Sequence, residues 1–96
     1  MLRTKIAGIG KYVPQRVVKN EELANLMDTS DEWIQERTGI KERRYANKHH
    51  ETTATMGARA SEQALERAGV KKEEVDLIIF ATISPDYYFP GSGVLM

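Results

Sequence analysis

Leu77-Ile78-Ile79-Phe80-Ala81-Thr82-Ile83 is a nearly unbroken apolar run, rich in β-branched residues and without glycine or proline. A run this short with little polar alternation predicts a strand buried on both faces of a sheet. Burial on both faces demands cover on both sides, so the run predicts a layered α/β architecture with a largely parallel sheet. Immediately upstream, residues 71–74 are charged and read as a solvated turn. Before that turn, Thr52 or Thr53 is placed to cap a helix that ends at Gly69. Gly57, Ala60, Ser61, Ala64, Leu65 and Ala68 recur there at helical spacing, with Arg59, Glu62, Gln63, Glu66 and Arg67 opposite. Such a narrow stripe of small side chains lets the helix axis come close to a neighbour.

Further upstream, residues 5–13 hold Ile6, Ile9, Tyr12 and Val13 with Gly8 and Gly10 between them, and Pro14 follows. This pattern predicts a first strand whose glycines permit a close backbone approach. Gly8-x-Gly10 is no dinucleotide fingerprint, because the sixth position is Val13 and no helix follows directly. Asn20 is the expected N-cap of a short helix with Glu21 and Glu22 in its first turn and Leu23, Leu26 and Met27 on one face. Ser30 is the expected cap of a second helix, with Asp31 and Glu32 in its first turn, Arg37 near its end and Gly39 at the left-handed terminating position. Two strands do not complete a sheet of this kind. An isolated pair would leave apolar edges open.

The 96 residues suffice for one small domain; a chain of this size buries only about 60 to 65% of its unfolded surface. Fourteen basic and fourteen acidic residues give a net charge of +0, so no whole-molecule field draws the chain to nucleic acid or to an acidic membrane. The charge is unevenly spread: residues 21–36 are mostly acidic and residues 37–48 mostly basic. The absence of cysteine excludes disulfides, thiolate metal sites and a thiol nucleophile within these residues. No apolar run nears the roughly 18 residues of a membrane span, and the start lacks the apolar core of a signal peptide. A soluble cytoplasmic protein is the expectation.

Trp33, the sole tryptophan, and Arg37 stand one helical turn apart and emerge from one helix face. An indole offers a base a stacking surface worth about 1 to 3 kcal/mol, and a guanidinium adds a cation–π or phosphate contact. The same spacing also suits a tryptophan packed in the core beside an arginine paired with Glu36 or Asp31. Lys41, Arg43, Arg44 and Lys48, with Tyr45, His49 and His50, form a basic cluster that reads as solvated surface, with Lys41 and Arg44 able to meet a phosphate. Nucleic-acid binding is not expected of it. Adjacent His49 and His50 cannot both face one metal from a helix or strand, and no metal site is expected. Pro85-Asp86-Tyr87-Tyr88-Phe89-Pro90 follows the apolar run, where α/β folds commonly carry ligand loops. Its aromatics suit a pocket, a subunit interface or a fold back onto their own core. Ser92, between Gly91 and Gly93, lacks the strand-to-helix elbow of a nucleophilic serine.

DTSDEWIQERTGIKERR at residues 28–44, with KIAGIGKYVP before it and ETTATMGARAS, DLIIFATISPD and FP after it, resembles the start of β-ketoacyl-acyl-carrier-protein synthase III. The resemblance spans essentially the whole chain. It implies a layered α/β/α thiolase-like fold, of which residues 1–96 would be the N-terminal part of the first half. It also implies a cytoplasmic homodimer that condenses an acyl-CoA primer, acetyl-CoA being the expected one, with malonyl-acyl carrier protein and releases carbon dioxide. Coenzyme A thioester would be substrate, with no permanently bound cofactor. By the same resemblance, Trp33 stacks on the adenine of coenzyme A, Arg37 contacts the nucleotide portion and Thr29 hydrogen-bonds the base. Phe89 would border the partner subunit's acyl pocket near the dimer interface.

The chain departs from the family pattern at Lys19, where threonine is frequent, and at Gly91, where serine is frequent. The family's cysteine, histidine and asparagine catalytic groups lie beyond the matched region, so no catalytic residue is expected here and the 96 residues alone are expected to be inactive. Two other readings share part of this pattern. One is a thiolase-fold CoA acyltransferase or polyketide-type synthase, and the other is a non-catalytic fragment that pairs with a separate chain.

Overall fold

Arg16–Lys19 (β1) and Glu42–Tyr45 (β2) pair antiparallel, with Arg16 opposite Tyr45 and Val18 opposite Arg43. This ribbon is the only sheet among residues 2–96, the part described by the computed structural model. The chain forms two compact units, one of Val13–Lys48 and the other of Met1–Tyr12 with His49–Met96.

In the unit of Val13–Lys48, β1 leads directly into α1 (Asn20–Leu26), followed by α2 (Asp31–Thr38) and then β2. Val18, Leu23 and Ile34 supply one buried side chain each from β1, α1 and α2, and together they form the core. Burying each contributes about 1.5 to 3 kcal/mol. The ends of α2 follow the sequence reading. Ser30 Oγ accepts the amide of Trp33 at 3.1 Å, and Gly39 adopts φ 73°, donating its N–H to Gln35 O at 2.8 Å.

The expectation for Asn20 needs correction, since Lys19 occupies the capping position and makes no side-chain cap bond. The helix follows the strand without a linker, which puts Asn20 inside the first turn. Its side chain turns into the interior and is fully buried. Leu26 and Met27 are also corrected, being 71% and 55% exposed. The seven-residue α1 stops at Met27 in extended backbone, so only Leu23 is carried into the core.

The other unit is organised by α3 (Thr53–Ala68), with a 3₁₀ turn at Lys72–Glu74 and a short α4 (Ser92–Leu95). Thr52 and Thr55 cap each other reciprocally at the start of α3, through Thr55 N to Thr52 Oγ1 at 3.2 Å and Thr52 N to Thr55 Oγ1 at 2.8 Å. Gly69 at φ 68° closes the other end, with the Val70 amide bonded to Leu65 O at 3.0 Å.

The stripe of small residues on α3 is used as its spacing predicts. A Cβ on Gly8 would come 2.4 Å from Ala64 O, and one on Gly10 would come 2.0 Å from Ala60 O. Around the same helix, Phe80 lies so near Gly57 that a Cβ there would meet its ring at 2.8 Å.

Two expected strands are not strands. Neither residues 5–13 nor residues 77–83 make a β-ladder among the described residues, whose one sheet is the β1–β2 ribbon. Nor is the apolar run buried: Leu77, Ile79 and Ile83 are 76%, 86% and 103% exposed, while Phe80 is half-buried. Apolar composition specifies a segment that requires cover on both faces, but a ladder also needs neighbouring backbone, and no strand lies beside it among the described residues.

Candidate functional site

α2 divides its side chains between two faces. Ile34 points into the core, and Trp33 and Arg37 emerge outward one turn apart. The Arg37 guanidinium lies over the indole, with Cζ 5.2 Å from the ring centroid. Trp33 is 53% exposed, which excludes the reading in which it is a core residue. An open indole beside a cation is a stacking surface with positive charge at its edge.

At the start of α2, Asp28, Thr29, Ser30 and Trp33 line a surface hollow of about 350 Å³. The Oγ1 of Thr29 is buried and has no hydrogen-bond partner. The structure therefore brings Thr29 and Trp33 to one hollow and sets Arg37 against the same indole. Sequence reasoning missed Asp28, which had only its adjacency to Thr29 as a signal.

The inner side of α2 is fixed by polar contacts that the sequence did not disclose. Asn20 Nδ2 donates to Asp31 Oδ1 and to the carbonyl of Ile40, each at 2.8 Å, and Asn20 Oδ1 accepts from Arg43 Nη2 at 2.7 Å. Gln35 Nε2 donates to both oxygens of Asp31, at 2.7 and 2.8 Å. These donors, Gln35 foremost and Asn20 next, hold the Asp31 carboxyl below its ordinary range. Of the basic cluster, Arg43 is thus turned inward, also reaching Val18 O at 3.2 Å, and Arg44 donates to Pro14 O at 2.7 Å.

In the other unit, Phe89 is 93% and Tyr88 100% exposed, so these two rings do not fold back onto their own core. Asp86 does turn back, accepting the amides of Thr53 and Ala54 at 2.8 Å each at the start of α3. Ser92 is buried, and its Oγ accepts the Asp86 amide at 3.2 Å. Tyr12 donates its phenol to Glu51 while Arg59 lies 5.3 Å over its ring. The hydrogen bond to Glu51 is the main cause holding the Tyr12 phenol above its ordinary range. Among the described residues no three His, Asp or Glu side chains gather as metal ligands, and no helix is long and apolar enough to cross a membrane.

The backbone matches solved β-ketosynthases of the thiolase-like α/β class. A crystal structure of 3-oxoacyl-[acyl-carrier-protein] synthase III from Aquifex aeolicus VF5 superposes with a TM-score of 0.91 at 48% identity, covering 97% of this chain and 30% of that one. The priming β-ketosynthase of the R1128 polyketide pathway gives 0.89 at 38% identity, covering 98% and 30%. Within that class, the curated relatives are β-ketoacyl-[acyl-carrier-protein] synthase III proteins. Those of Chlamydia muridarum and Clostridium acetobutylicum are 49% and 51% identical over 98% and 100% of this chain. The chain spans about 28 to 29% of the length of these relatives. No family profile matches it.

Proposed function

We propose that this chain is part of a β-ketoacyl-acyl-carrier-protein synthase III and that it holds the adenine end of coenzyme A. The carrying observation is that Thr29, whose buried Oγ1 has no hydrogen-bond partner, lines the hollow against Trp33. A polar atom in that state costs about 1 to 3 kcal/mol, and the edge of a base set in the hollow supplies the missing bond. In this reading Trp33 stacks on the adenine, Thr29 hydrogen-bonds it, and Arg37 contacts the nucleotide portion.

The whole enzyme then condenses an acyl-CoA primer, acetyl-CoA in the simplest case, with malonyl-acyl carrier protein to initiate fatty-acid synthesis. Coenzyme A thioester is substrate, and no cofactor is held permanently. The cysteine that takes the acyl group and the histidine and asparagine that stabilise the developing anions are assigned outside these 96 residues, which contain no cysteine. On this reading the chain alone catalyses no condensation. Phe89 is assigned to the dimer interface beside the partner's acyl pocket, in a cytoplasmic homodimer; its exposure suits a contact made by another surface.

Calorimetric titration with coenzyme A tests the reading. Saturable binding is expected, weakened about tenfold or more in Trp33→Ala, in line with the worth of one stacked base. Absence of saturable binding would overturn it. A second reading, a priming synthase of polyketide type, draws on the 0.89 superposition with the R1128 enzyme. The carrier protein that the whole enzyme accepts separates the two.

A further inference from the structure

Both ends of α2 are tied to one side chain. Asn20 Nδ2 donates to Asp31, the first residue of the helix, and to the carbonyl of Ile40, just past its C-terminal Gly39. Asn20 Oδ1 in turn receives Arg43 of β2, and the Asn20 amide donates to Lys41 O at 3.2 Å. The Asn20 side chain is fully buried, so its end of each bond is withdrawn from water while the partners stay partly exposed. Arg43 adds a bond to Val18 O, which ties the same centre to the β1–β2 ribbon. The rotation and pitch of α2 determine where Trp33 and Arg37 point, because both project from the exposed flank of the helix beside Ile34.

We infer that Asn20 is a positioning residue for the nucleotide platform, fixing α2 through Asp31 and Ile40 so that the Trp33 indole and the Arg37 guanidinium are held in binding geometry before a ligand arrives. The inference rests on the reading of that face as the coenzyme A site. Core packing alone does not supply this constraint. Ile34 is the single fully packed apolar contact of α2, and one contact leaves the helix free to roll about it.

The test compares coenzyme A affinity in four variants of the full chain with that of the wild type. Asn20→Ala removes all of the side-chain bonds. Asn20→Asp keeps an acceptor for Arg43 but sets a second carboxylate against Asp31. The double variant Asn20→Asp with Asp31→Asn reverses donor and acceptor of the bond to residue 31 and restores it, while the Ile40 carbonyl stays without its donor. Val18→Ala cuts the buried core of the same unit while keeping the main-chain carbonyl that Arg43 uses. The expected result is an affinity about tenfold lower in both single Asn20 variants, with part of the loss recovered in the double variant. Val18→Ala is expected to lower the melting temperature while leaving affinity unchanged wherever it is folded.

Wild-type affinity in Asn20→Ala and Asn20→Asp would overturn the inference. So would equal losses in the Asn20 variants and Val18→Ala with no recovery in the double variant. Trp33 is the sole tryptophan, so its near-ultraviolet circular dichroism band reports the order of α2 without any ligand. If the wild type itself does not bind coenzyme A, the functional reading falls and the band decides the positioning: its loss in Asn20→Ala supports the role, and an unchanged band removes it.

Discussion

The carbonyl oxygen of Ala60 lies 2.0 Å from the place a Cβ on Gly10 would occupy. The next atom met is also main chain, Ala64 N at 2.6 Å, so no side-chain rotation relieves the clash. Gly10→Ala is expected to destabilise the chain by roughly 3 kcal/mol or more, as overpacking against backbone does. Gly91→Ala is the control, because nothing lies within 4 Å of a Cβ there and its φ of −68° suits any residue. Thermal denaturation should leave it within about 0.5 kcal/mol of wild type.

That seam was legible in the sequence, because small residues at helical spacing and glycines in an extended segment each demand close approach. The caps of α2 and α3 were legible for a similar reason: Ser30, Thr52, Gly39 and Gly69 act locally, on backbone groups within a few residues. The β1–β2 ribbon was not, since a four-residue strand such as Glu42–Tyr45 carries three charged side chains and no apolar alternation. Asn20 was misread because its local propensity as a cap lost to partners 11, 20 and 23 residues away. For the candidate site, Trp33 and Arg37 sharing one face followed from spacing, whereas the unpartnered Thr29 hydroxyl depends on tertiary burial that no local pattern encodes.

Asp31 makes stability depend on acid. Its carboxyl is held below the ordinary range, so its contribution is fully present above the unfolded value near pH 4 and is lost as pH falls through the lower folded value. Urea midpoints measured from pH 6 down to pH 2 should fall more steeply in wild type than in Asp31→Asn. Equal slopes would remove Asp31 as a source of acid sensitivity.

At the alkaline end the sign reverses. Tyr12 titrates above its ordinary value because ionisation would cost the hydrogen bond to Glu51, so this contribution is present below about pH 10 and is lost as pH rises through the folded value. Tyr12→Phe should be less stable than wild type at pH 8, and the gap should narrow toward pH 11 in denaturant melts.

Thr29→Val separates folding from binding. Replacing the unpartnered hydroxyl by a methyl removes a buried polar atom that has no bond to lose, so stability should hold or rise by up to about 1 kcal/mol. If the chain holds coenzyme A as proposed, its affinity should fall about fivefold, the worth of one hydrogen bond. A loss of both quantities together would mean that the hydroxyl has a partner within the fold.

Gly39→Ala addresses the exit of α2. A side chain at φ 73° costs about 1 to 2 kcal/mol even where space is open, as it is here. The midpoint of unfolding should shift by that amount, and Gly39→Asn, which tolerates the left-handed region, should shift it less.

Asp86 joins events 32 and 33 residues apart in the chain, because its two oxygens hold the amides of Ala54 and Thr53. Those two protons exchange with solvent only when the loop carrying Asp86 lets go of the helix. Their deuterium uptake would therefore time any opening of the segment between the apolar run and α4. The start of a helix thereby serves as a clock for a loop more than thirty positions downstream.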